Sequence, residues 1–111
     1  MSVIERAKSH FAAYGARRIE VAEWGEPGAP LVLVAEPLTL AEMAKLRGAN
    51  KSDEHGYLVD LLIMKAKRED GSPAFTLADK WDLKNKVDPI VIARVAADIA
   101  TIPTTAEAEK N

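Results

Sequence analysis

Apolar positions recur three and four residues apart in several stretches of the chain, and two shorter stretches are β-prone. Ile4, Ala7, Phe11 and Tyr14 share one face of a helix that Gly15 can end. Leu58, Leu61, Leu62 and Lys65 are spaced as another helical face. Tyr57, Val59, Ile63 and Met64 fill most of the remaining circumference, so this helix belongs at the centre of a bundle or under a partner. It is expected from near Asp53 to before Asp70-Gly71. Ile92, Val95, Ala96, Ile99 and Ile102 mark a last helix, which Pro103 ends, with Arg94 and Asp98 spaced to pair on its surface. Between the first two helices, Arg18–Trp24 partly alternates, Gly25–Pro30 is turn-rich, and Leu31–Ala35 is β-prone. This pattern predicts a β-hairpin with a long loop. Two strands alone are marginal in water, so the hairpin must pack on helices or pair with another chain.

Start signals agree with these periods. Ser2 precedes Glu5, Thr39 precedes Glu42, and Thr76 precedes Asp79, each a hydroxyl with an acid three residues on. Asp88-Pro89 is a fourth start, with a capping carboxylate and a proline preset for the first turn. The predicted fold class is mainly α with a small β-hairpin (α+β), about four helices, and the hairpin between the first and second. Residues 1–103 are expected to form a single domain and 104–111 a disordered polar tail.

Composition narrows the chemistry. Lys and Arg number 15 against 17 Asp and Glu, so the net charge is 15 − 17 = −2. That balance offers no global attraction to nucleic acid or an anionic membrane. The longest apolar stretch, near Tyr57–Met64, is too short to span a bilayer, and the start of the chain does not read as a signal peptide. With 0 cysteines, thiolate catalysis and Cys-based metal sites are excluded. His10 and His55 lack a second ligand at metal-site spacing. Gly25 and Gly28 are interrupted by Pro27 and lead into a strand, so they make no phosphate loop. The residues therefore suggest no enzyme, no cofactor and no small-molecule substrate.

Charge is unevenly placed. Ile19–Ala44 holds Glu20, Glu23, Glu26, Glu36 and Glu42 and no Lys or Arg. Such an acidic island either protects exposed strand edges or forms a docking face for a basic partner. Trp24, near the hairpin turn, is either a contact anchor or a residue packed on the chain's own helices. Candidate partner-binding residues are thus Glu20, Glu23, Trp24, Glu26, Leu33 and Glu36 on the hairpin, with Tyr57 and Leu62 on the apolar helix.

Several segments, taken in order, resemble the tail assembly chaperones of long-tailed bacteriophages. They are Glu23-Trp24-Gly25, Leu31–Val34, Pro37–Glu42, Leu58–Ile63, Glu69-Asp70-Gly71, Phe75–Lys80 and Lys86–Ala93. The resemblance covers roughly Ile19 to Ile102. It implies a non-catalytic helper that binds the tape measure protein and recruits tail tube subunits in the host cytoplasm, and that is absent from the mature virion. It also implies that a longer form can arise by ribosomal frameshifting, and Glu109-Lys110-Asn111 is compatible with a slippery run in the gene. A homo-oligomer is a further possibility. The alternatives are a structural tail or head–tail joining protein retained in the virion, and a small helical nucleic-acid-binding regulator.

Overall fold

The structure is a computed structural model and describes residues 2–101; the tail assigned to 104–111 lies outside the described residues, as do Ile102 and Pro103. Helix α1 (Val3–Ala12) leads into strands β1 (Arg17–Glu26) and β2 (Ala29–Ala35), followed by α2 (Leu40–Ala49), α3 (Glu54–Lys65), α4 (Lys80–Asn85) and α5 (Pro89–Ala100). The fold is the α+β arrangement expected, with the hairpin between the first and second helix. The described residues hold five α-helices where about four were expected. The shortest is α4, only six residues long, which follows the start signal at Thr76 through a 3-10 turn at Leu77–Asp79.

Local chemistry explains the helix starts. The Thr39 hydroxyl accepts from the Glu42 amide at 3.1 Å, and the Glu42 carboxylate accepts from the Thr39 amide at 3.0 Å, a complete capping box. Asp53 accepts from the Gly56 amide and Asp88 from the Ile90 amide, each at 2.9 Å. At Thr76 the Asp79 carboxylate accepts from the Thr76 amide at 2.9 Å, and the first turn is 3-10. After α1, Gly15 takes φ +62°, a conformation that L side chains rarely adopt, and the chain turns into β1.

The hairpin departs from expectation at its tip. The strands run through the predicted loop and leave only Pro27-Gly28 between the paired Glu26 and Ala29. Gly28 has φ +76°, and Pro before such a glycine is the type II turn signature. Between the pairs Val21↔Leu31 and Glu26↔Ala29, β1 uses Ala22, Glu23, Trp24 and Gly25 opposite Pro30 alone. Pro30 has no N–H for the ladder, so an irregularity falls there. Gly25 is required at this bulge: a Cβ would run into the Ala29 carbonyl oxygen and the Leu31 nitrogen.

Helix α3 is the centre of the body, with α2, α4 and α5 packed against it. Val59, Leu61 and Leu62 are buried on α3, and Val91, Ile92, Val95, Ala96 and Ile99 on α5. The hairpin adds Ile19, Val21, Leu33 and Ala35 from its inner face, and β1 packs on α5. Each fully buried Leu, Ile or Val contributes about 1.5–3 kcal/mol. Polar ties close the body at its margins. The Lys65 ammonium, nine-tenths buried, lies 3.1 Å from the Glu42 carboxylate and joins the end of α3 to the start of α2. Asn50 donates to Asp60 at 2.9 Å, and Lys80 reaches Asp60 at 3.0 Å. The basic run that begins at Lys65 leaves the helix at once: Lys67 is extended and exchanges two backbone hydrogen bonds with Val34 at 2.8 and 2.9 Å.

Candidate functional site

The bulged hairpin gathers the acidic residues into one place. Glu20, Glu23 and Glu26 line an open groove of about 720 Å³ at the hairpin tip, with Arg94 of α5 at its side. Arg94 does not pair with Asp98 along its own helix, as the spacing suggested. It donates to both carboxylate oxygens of Glu23 at 2.7 Å, Nη1 to Oε2 and Nη2 to Oε1. A planar guanidinium matches a carboxylate two-on-two, which an i, i+4 neighbour seldom reaches. These bonds from Arg94 hold the Glu23 carboxyl down at about 2. Glu20 and Glu26 remain exposed with no ion pair among the described residues, and so does Glu36 beyond β2. The groove therefore presents carboxylates to solvent that can accept from Lys or Arg of a partner.

The other candidates fall elsewhere. Trp24 is half-buried and meets Phe75 edge-on, ring centres 5.9 Å apart, so its packing is on its own chain. Leu33 and Leu62, both 0% exposed, are core residues and offer no surface to a partner, which corrects their place among the partner-binding candidates. The alternation that marks Leu33 and the helical spacing that marks Leu62 point toward the interior, and the interior proves to be this chain's own. Tyr57 is half-buried and lines a second groove of about 620 Å³ with Arg47, Asn50, Lys51, Glu54 and Leu58. The structure thus brings Glu20, Glu23 and Glu26 together, and leaves Glu36, Tyr57 and the core leucines apart.

Two exposed apolar surfaces were not singled out from the sequence. Helix α1 buries none of its ten residues; Val3 is 82% exposed and Ile4 63%. Phe11 and Tyr14 meet edge-on at 6.5 Å, at the end of that same face. The stripe was legible as amphipathic, but its lack of a partner was not. On the 3-10 turn and α4, Leu77 and Trp81 are 75% and 63% exposed. Their four-residue spacing was the available signal. Lys86 reaches over the Trp81 ring at 5.9 Å.

Among the described residues no three His, Cys, Asp or Glu side chains gather as a metal site, and no helix is long and apolar enough to cross a membrane. Buried side-chain polar atoms among them all have partners. No protein-family model, curated protein or solved structure matches the chain.

Proposed function

We propose that the chain is a non-catalytic tail assembly chaperone of a long-tailed bacteriophage. It binds the tape measure protein and recruits tail tube subunits in the host cytoplasm, and it leaves before the tail is complete. The observation that carries this proposal is the order of pieces from Glu23-Trp24-Gly25 through Pro37–Glu42 and Phe75–Lys80 to Lys86–Ala93. Two surface features support it. Exposed apolar side chains at Leu77 and Trp81 can cover apolar stripes of an extended helical client. The carboxylates of the hairpin groove suit a client's basic residues. A frameshifted longer form would extend from the segment beyond residue 103.

Co-expression with the tape measure protein of the same phage tests the proposal. The expected result is that the tape measure protein becomes soluble and co-purifies, and that mass spectrometry of purified virions finds no peptides of this chain. Its peptides at stoichiometric levels in virions would favour a structural tail or joining protein. Retarded nucleic acid at moderate salt would favour a regulator.

A further inference from the structure

We propose that α1 packs, in solution, across the outer face of the hairpin of a second copy of this chain, in a reciprocal two-fold dimer. Strand register divides the hairpin into two faces. Ile19, Val21 and Leu33 face the body, whereas the pairs Arg18↔Val34 and Glu20↔Val32 face away from it. On that outer face Glu20 and Ala22 are exposed and Val32 and Val34 only half-buried. The hairpin is covered on one side only, and a two-stranded sheet gains most from a helix on its open face. The same chain carries a helix with no buried residue: Val3, Ile4 and Ala7 are exposed, and Phe11 meets only the neighbouring Tyr14 ring among the aromatic contacts of the described residues.

Charge makes the two surfaces complementary. The stripe is flanked by Arg6 on one side and Lys8 on the other, at 100° per residue around the helix. Glu20 stands on the hairpin's outer face, and Glu36 follows β2 at the same alternation. Neither acid has an ion pair among the described residues, and Lys8 meets only its helical neighbour Glu5, at 3.2 Å. Arg18, at the corner of the face, is already held by Glu69 at 3.0 Å. Because helix and hairpin sit on one chain, a two-fold axis makes each contact twice. Gly15 is the pivot between them. A partner other than a second copy would need to supply this apolar, acid-rimmed surface, which the chain itself already carries.

Light scattering on the full chain during size-exclusion chromatography gives the test. The expected mass at about 100 μM is twice the chain's 12.1 kDa. Val3→Asp with Ile4→Asp returns the single-chain mass, and its circular dichroism melt at dilution is unchanged, because both side chains are mostly exposed in the single chain. Charge reversal then identifies the surfaces. Arg6→Glu with Lys8→Glu in one variant, and Glu20→Lys with Glu36→Lys in another, each weaken dimerisation at least tenfold. Mixed one to one, the two variants recover a dimer, since every reversed charge then faces its opposite. A wild type that is monomeric, a dimer that survives the α1 substitutions, or a mixture that fails to recover overturns the proposal. No tail protein enters these measurements, so their outcome is independent of the chaperone assignment.

Discussion

Helices α1 and α5 carry the same kind of message in sequence and meet opposite fates. Both repeat apolar residues every three to four positions, and both open with a capping side chain. α5 buries Val91, Ile92, Val95, Ala96 and Ile99 against α3 and the hairpin. α1 buries nothing. Amphipathicity states that a helix has a face to cover, and the cover itself is a property of distant elements. What separates the two is the company each keeps. α5 ends beside α3, whose apolar residues run almost all the way round. α1 is followed by Gly15 and a strand whose inner face α5 already occupies.

The sharpest way to test this contrast is to delete equivalent side chains. Ile99→Ala on α5, or Leu62→Ala on α3, should cost about 2–5 kcal/mol in urea unfolding, because both are buried in a packed core. Ile4→Ala on α1, at a dilution where chains are single, should cost less than about 0.5 kcal/mol. A comparable loss at Ile4 would mean that α1 is covered by its own body, and the contrast would collapse.

A second comparison lies between the two bridged glutamates. Glu42 pairs with the nine-tenths buried Lys65, whereas Glu23 pairs with Arg94 at the surface. Glu42→Gln should cost about 2 kcal/mol, since it leaves the Lys65 charge without a counter-ion. Burial pushes the Glu42 carboxyl up, but bonds from the Thr39 amide and from Lys65 together hold it below its ordinary value of 4.5. Its contribution is therefore present above pH 4.5 and is lost as acid is added through its lowered value. A urea midpoint insensitive to pH between 7 and 3 would contradict this.

Trp24→Ala decides whether the hairpin tip belongs with the body or with a partner. Its contact with Phe75 predicts a loss of about 1–2 kcal/mol, seen as a lower melting temperature, with the outer hairpin face intact. Unchanged stability together with lost partner binding would make Trp24 a contact anchor instead.

The smallest expected effect is at Glu23. Carboxyl titration by NMR should find it near 2, because it accepts two bonds from Arg94, and Arg94→Gln should bring it back toward 4.5. The sign is that of a depressed acid: the pair stabilises fully above pH 4.5 and fades as pH falls toward 2. Exposure of both groups keeps the effect on the melting temperature slight.

Much of the chain's local structure follows from neighbouring residues alone. The capping box at Thr39 and Glu42, the Asp53 and Asp88 caps and the central place of the apolar helix are written within a few positions, because capping and amphipathicity are short-range. The acidic character of the hairpin is equally local. The tertiary structure decided what local patterns do not contain. It set the bulge opposite Pro30, where a missing N–H faces the unpaired stretch of β1, and it paired Arg94 with Glu23 across 71 positions rather than with Asp98. It consigned Leu33 and Leu62 to the core and left the α1 stripe, Leu77 and Trp81 outside. Which apolar face is buried depends on which surfaces close packing brings together, and that is a property of the whole chain rather than of any one segment.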